Sequence, residues 1–184
     1  PVTLAFCQDV QAEAFDYPES FFEKRTWRIR RQSPDQRDIA ALVEAIKSAR
    51  SPLIIAGGGV HYSDACDALG AFASAHGVPV AETQAGKGAL PWDHPLALGG
   101  VGVTGTSAAN AAAAEADLVI GIGTRFQDFT TGSWALFANP KCTFAQINVA
   151  AHDARKRGAL AVVGDAGLTL ELLDEQLGGA RVLE

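Results

Sequence analysis

Four short runs in this chain are apolar at nearly every position: PLIIA at 52–56, DLVIG at 117–121, FAQINV at 144–149 and LAVV at 160–163. A strand with one wet face alternates apolar and polar residues, whereas an uninterrupted apolar run needs cover on both faces. The sequence between these runs supplies the cover. Ile39, Leu42, Val43 and Ile46 fall at i, i+3, i+4 and i+7, one stripe of a helix. Leu69, Phe72 and Ala73 mark a second helix that Gly77 stops, residues 107–116 an Ala-rich third, and Leu170, Leu173 and Leu177 a fourth, ended by Gly178-Gly179. The alternation predicts an α/β fold: a doubly wound, mostly parallel six-stranded sheet with helices on both faces. Such sheets bind ligands in the crevice at the carboxyl ends of their strands. Residues 78–81 read as a further strand, and so does the opening run at 1–10.

Start signals are visible too. Ser33-Pro34-Asp35-Gln36 has the form of a capping box, with Ser33 as N-cap and Gln36 at the third helical position. Ser63 is expected to cap the helix that carries Leu69, and Asp165 the last helix. Residues 11–32 show no period and read as a linker pinned to a surface by Phe21, Phe22 and Trp27.

The net charge of −6 and pI near 5.2 give no support to nucleic acid or an anionic membrane as partner. The apolar runs are too short to span a bilayer, and the N-terminus has no signal-peptide pattern. Cys7, Cys66 and Cys142 are scattered and odd in number, which argues against a disulfide framework and a structural zinc site. A cytoplasmic setting is the default expectation. The start at Pro1, without Met and inside a strand-like run, predicts an excised fragment.

Residues 81–106 form the largest interruption, with six glycines and two prolines. Loops of this length in compact domains are usually functional or disordered, and Leu90, Trp92, Leu96 and Leu98 argue for order. Within it, Gly100-Val101-Gly102-Val103-Thr104-Gly105 matches the G-x-G-x-x-G dinucleotide pattern. No strand is evident before it, however, and Arg125 stands where a ribose-binding acid belongs. The preferred reading is a glycine loop that lets backbone pass close to a neighbour or a ligand. Gly57-Gly58-Gly59 follows a strand and precedes a helix, the place for backbone approach to a phosphate. Tyr62 replaces the third glycine of the fingerprint, so a tight turn is an equal alternative. Arg125 and Asp128, just after the strand at 117–121, could meet a ligand or simply pair at the surface. His61, His76, His94 and His152 lack metal-ligand spacing, and His94 in Asp-His-Pro reads as a turn residue. No nucleophile motif is present. The residues show binding equipment, with no catalytic group and no metal site.

Taken in order, PLIIAGGGV, PVAETQAGKGALPWDHPLALGGVGVTGTSAAN, ADLVIGIGTRFQDFTTGS and the closing VVGDA resemble the central domain of thiamine-diphosphate-dependent enzymes, the group of acetohydroxyacid synthase and pyruvate oxidase. ETQAGKGALPWDHP with IGTRFQDFTTGSW is most similar to the branch that hydrolyses trihydroxycyclohexane-1,2-dione in myo-inositol breakdown. The resemblance implies that residues 1–32 are the end strand of a preceding pyrimidine-binding domain plus a linker, and that residues 33–184 are the Rossmann-like central domain. It implies a longer parent that uses thiamine diphosphate and Mg2+ at sites outside this chain. That parent would open the ring of a cyclic dione by hydrolysing a C–C bond, and would be a homo-oligomer. The chain alone is then inert: Gly164-Asp165 is followed by Ala166 rather than completing the diphosphate-binding G-D-G motif.

Some members of the group hold FAD on the central domain. Carried over by position, the candidate nucleotide contacts are Gly57, Gly58, Gly59, Arg125, Asn148 and Asp165. Two departures weaken the flavin reading: Phe129 stands where acetohydroxyacid synthases have an arginine, and their M-x-G-x-H-G loop is replaced by residues 100–105. A vestigial nucleotide site is expected. The alternative is an FAD-binding central domain of an acetohydroxyacid-synthase-like enzyme. A sirtuin-like deacylase is disfavoured, because three scattered cysteines cannot supply the zinc quartet such enzymes carry.

Overall fold

The computed structural model describes residues 2–179, and the chain divides into two compact units, Pro1–Arg30 and Arg31–Glu184. The first unit has little regular structure: α1 (Gln8–Gln11) and a 3-10 turn at Glu19–Phe21. Residues 2–7, expected to form a strand, form none, and Pro1 lies outside the described residues. A strand needs a partner ladder for its backbone groups, and the unit offers no second strand. Phe21, Phe22 and Trp27, expected to pin the segment, remain exposed. Phe21 and Phe22 instead join Phe15 and Tyr17 in a ring cluster with centroids 5.2–6.3 Å apart.

The second unit is the doubly wound domain. Its elements are α2 (Gln36–Ser48), β1 (Pro52–Ala56), α3 (Gly58–Tyr62), α4 (Cys66–His76), β2 (Val80–Glu82), β3 (Ala97–Gly100), α5 (Ser107–Glu115), β4 (Leu118–Ile122), α6 (Asp128–Thr131), β5 (Thr143–Asn148), α7 (Ala151–Ala154), β6 (Leu160–Val163) and α8 (Ala166–Leu177). All pairings are parallel, in the order β3-β2-β1-β4-β5-β6. Alternate strand residues separate two cores. Ile54, Val80, Ile120, Ile147 and Val162 pack under α2, α4 and α8, whereas Leu53, Ile55, Ala81 and Val119 face α5 and Phe126. Each such aliphatic side chain contributes about 1.5–3 kcal/mol when fully buried, so the two faces together dominate stability.

Expected caps hold at Gly77 and Gly178, both left-handed (φ 67 and 61), and at Asp165. Two caps move. α2 is capped by Asp35, whose carboxylate accepts from the Arg37 amide at 2.8 Å, because Ser33 lies too far upstream once buried Pro34 packs against Gly164. Ser63 ends α3 instead of starting α4, and its hydroxyl accepts from the Ala166 amide at 3.4 Å. A further clamp sets the central register. The Asp117 carboxylate accepts from the Arg50 and Ser51 amides at 2.8 and 2.9 Å, just before β4 pairs with β1.

The sixth strand of the sheet is β3, inside the segment read as an irregular loop. Its register with β2 skips Leu98, passing from Val80↔Ala97 to Ala81↔Gly99, and Gly99 takes φ 80 at the bulge. Two glycines and half-burial of all four residues hide it from periodicity. The rest of the segment is tied down as well. Buried Glu82 accepts from the Gly88 and Leu90 amides through Oε1, at 3.0 and 3.1 Å. His94 is the turn residue expected, accepting from the Leu96 amide and meeting Ser74 Oγ at 3.0 Å.

Gly70 lies in the middle of α4 with no positive φ, and an added Cβ would meet Leu90 Cδ1 at an ordinary 3.5 Å. Gly70→Ala should therefore stabilise the domain by about 0.5–1 kcal/mol, through the entropy that glycine loses in a helix. A higher urea midpoint with unchanged slope would show it; a lower midpoint would refute the packing described.

Candidate functional site

Strand order reverses between β1 and β4, so the switch-point crevice lies at the carboxyl ends of these two strands. Backbone contact closes it. The Gly57 amide donates to the Ile122 carbonyl at 2.8 Å, and the Gly59 amide to the Gly123 carbonyl at 3.1 Å. A Cβ on Gly57 would lie 2.4 Å from the Gly123 oxygen, and one on Gly59 would lie 2.5 Å from the Gly123 Cα. The glycines at 57 and 59 thus let two strand-end turns touch. Gly58 is roomier, with Ala85 Cβ at 3.3 Å. Gly86 continues the pattern, because a Cβ there would stand 2.1 Å from the Ala56 oxygen.

Asn148 ends β5 and locks the same turn. Its side-chain amide donates to the Thr124 carbonyl at 2.9 Å, while its oxygen accepts from the Ala150 amide at 2.9 Å. Arg125, next along, is exposed and loosely held by Gln127 Oε1 at 3.4 Å. Gly57, Gly59 and Asn148 therefore converge on Gly123 and Thr124, with Arg125 the next residue along. Asp165 lies apart, after β6. It caps α8 through the Gly167 and Leu168 amides at 3.0 and 3.3 Å and pairs with Arg31 at 3.1 Å. Burial works to raise its carboxyl, but hydrogen bonds from Ser63, Leu168 and Arg31, with the Arg31 charge, outweigh that and hold it below the ordinary carboxylate value. The Arg31 guanidinium also donates to the Tyr62 carbonyl at 2.8 Å, tying α3 to the start of α8. Sequence reasoning missed Arg31 and Ser63 as partners of Asp165, since nothing local links them.

The G-x-G-x-x-G at 100–105 does follow a strand, contrary to expectation, but its glycines face protein. A Cβ on Gly102, at φ 115, would lie 2.1 Å from the Phe129 oxygen. Asn110 of α5 clamps both the amide and the carbonyl of Gly102 at 3.0 Å. This is the close backbone passage that the glycine-loop reading predicts. One further pair looks chemical. Cys66 Sγ lies 3.4 Å from His61 Nδ1, and His61 Nε2 is 3.2 Å from the Lys87 carbonyl. Burial raises the thiol, and Asp67, Asp64 and Glu82 raise it further, the reverse of what a nucleophile needs.

The sequence pattern of the thiamine pyrophosphate enzyme central domain matches residues 39–173, which takes in the whole sheet. This chain belongs to that family. The chain is 50% identical over 176 residues to 3D-(3,5/4)-trihydroxycyclohexane-1,2-dione hydrolase of Clostridium tetani, covering 96% of this chain and 27% of that protein. To the protein of the same name from Geobacillus thermodenitrificans it is 51% identical over 177 residues, with the same coverage. It also superposes on the X-ray structure of a provisionally assigned thiamin diphosphate-dependent enzyme isolated from Mycobacterium smegmatis. The TM-score there is 0.69 at 26% identity, over 86% of this chain and 31% of that one. The chain thus spans 27% of the length of these two curated relatives.

Proposed function

We propose that this central domain serves a thiamine-diphosphate-dependent hydrolase that opens the ring of trihydroxycyclohexane-1,2-dione in inositol breakdown, as scaffold and as one wall of an active site completed by other domains. The observation that carries the reading is identity near 50% along 96% of the chain to hydrolases of that name. The surface agrees with a walling role: exposed Tyr62, Val103, Phe129 and Val149 each follow the carboxyl end of a strand (β1, β3, β4 and β5). In this reading residues 1–32 supply the end strand of the parent's preceding domain, formed where that domain provides the ladder partner missing here, and the linker after it. The parent is a cytoplasmic homo-oligomer that meets a small cyclic dione, and neither nucleic acid nor membrane. No helix among the described residues is long and apolar enough to cross a membrane.

The residues present do not fit the thiamine diphosphate–Mg2+ group itself. Among the described residues no three His, Cys, Asp or Glu side chains gather as metal ligands, and the carboxylate of Asp165 is taken up by Arg31 and the start of α8. Both cofactors are therefore assigned to the parent's other domains, and no step of the reaction is routed through this one. The nucleotide contacts proposed at Gly57, Gly58, Gly59, Arg125, Asn148 and Asp165 are read as vestigial, because most of them are engaged by the protein's own backbone. An FAD-binding domain of an acetohydroxyacid-synthase-like enzyme is the second reading.

One preparation separates the two. The intact parent, supplied with thiamine diphosphate and Mg2+, should consume the cyclic dione, leave pyruvate untouched, and show no flavin absorbance band. Turnover of pyruvate in place of the dione would overturn the substrate assignment, and a stoichiometric flavin band would overturn the vestigial site.

A further inference from the structure

A cavity of about 450 Å3 opens beside the turn that follows β4, lined chiefly by Arg125, Phe126, Asp128, Trp134, Lys156 and Arg157. Three of these are cations and one is an acid, in a chain whose net charge is −6. The Arg157 guanidinium lies 4.6 Å from the centre of the Trp134 ring. That ring is itself fixed by Phe126, Phe137 and Phe144, with centroids at 6.1, 5.5 and 5.3 Å. Lys156 is held in place by an ion pair with Asp153.

The backbone here runs against residue preference. Five non-glycine residues among those described have left-handed φ, and three of them line this cavity: Phe126 (47), Trp134 (70) and Arg157 (59). Glycine or asparagine suits such a position better than arginine. Gly158, next in the chain, is also left-handed and has open space around it. The turn alone gives no reason for an arginine at 157, so the reason lies in its side chain.

We infer that this cavity binds a small organic phosphate. Guanidinium groups of Arg125 and Arg157 offer forked N–H donors to phosphate oxygens, and the Lys156 ammonium adds a point charge. The space exceeds what a bare ion needs and lies in the range of small-molecule pockets. The indole of Trp134 covers part of the carbon skeleton, and Asp128 accepts from a hydroxyl. Arg125 and Asp128 follow the carboxyl end of β4, whereas Lys156 and Arg157 stand just before β6 and Trp134 packs on Phe144 of β5, so the cavity flanks the sheet beside β5. It shares Arg125 with the proposed nucleotide contacts but none of the glycines, and it does not depend on which reaction the parent performs.

Calorimetric titration of the full chain at fixed ionic strength tests this with glycerol 3-phosphate, inorganic phosphate and glycerol. Saturable binding of the ester, with none of glycerol, is expected, and the Trp134 indole N–H resonance should shift with occupancy. Binding of inorganic phosphate as tight as that of the ester would identify the free ion as the source. Arg157→Gly should weaken binding roughly tenfold or more, the loss expected for one charge-assisted contact. Because it relieves the left-handed arginine, the same variant should keep or raise the urea midpoint, which separates lost binding from lost fold. Arg125→Gln should weaken binding similarly. Absence of saturable binding at millimolar ester or phosphate, or unchanged affinity in Arg157→Gly, would overturn the site.

Discussion

Gly123→Ala is expected to destabilise the domain by roughly 3–4 kcal/mol, the sum of a left-handed alanine and a backbone collision that repacking cannot relieve. Gly123 has φ 62, and its Cβ would stand 2.4 Å from the Gly59 Cα and 2.8 Å from the Gly59 nitrogen and carbonyl carbon. The obstacle is main chain at the end of the central strand pair, so movement there disturbs β1 and β4 together. Gly88→Ala isolates the conformational part. Gly88 has φ 83 with nothing within 4 Å, and its replacement should cost only about 1–2 kcal/mol. Urea midpoints at constant slope measure both. Equal losses in the two variants would mean that the strand-end turns are not in contact, and the crevice could then admit a nucleotide after all.

The second large effect is at Asp165. Asp165→Ala should cost about 2–3 kcal/mol, combining a lost N-cap with the loss of a buried hydrogen-bond acceptor. Arg31, a third exposed, keeps access to water, so the ion pair itself adds little. The pH dependence follows from the direction of the shift. A carboxyl held below its ordinary value in the fold contributes stability that is fully present above its unfolded value, near 3.8. That contribution is lost as pH falls through the lower folded value. The wild-type chain should therefore lose stability below about pH 4. Asp165→Asn, which keeps a capping oxygen but cannot titrate, should show a shallower acid limb in denaturation midpoints. An unchanged limb would mean that the carboxylate is not engaged as described.

How much of this was legible differs by element. Both-face apolar strands and striped helices are set by burial, and burial writes a local pattern; the doubly wound sheet was readable from them. Gly77, Gly178 and Asp165 were readable because each acts within one turn of its own helix. β3 was not, since Ala97-Leu98-Gly99-Gly100 gains its order from β2 and from a bulge at Gly99. The strand expected at residues 1–10 shows the converse: an apolar run without a ladder partner does not become a strand. At the candidate site, Gly57 and Gly59 were singled out for backbone approach to a phosphate or for a tight turn; the neighbour they meet is Gly123, known only after folding. The cation cavity had a visible hint in Arg155-Lys156-Arg157-Gly158, a basic run in an acidic chain. Its aromatic counterpart, Trp134, is joined to it only in three dimensions.

The Asp117 clamp has a consequence for the order of folding. Every neighbouring strand pair in the sheet except β1 and β4 is consecutive along the chain and can form by a short excursion. β1 and β4 are separated by two helical connections, β2 and β3, so closing that pair carries the largest loop entropy in the sheet. The two carboxylate bonds to Arg50 and Ser51 act where that closure must begin, and fix which residue of β1 meets which of β4. The halves on either side can each condense early. Their joining is therefore expected to be the slow event, with Asp117 setting its register.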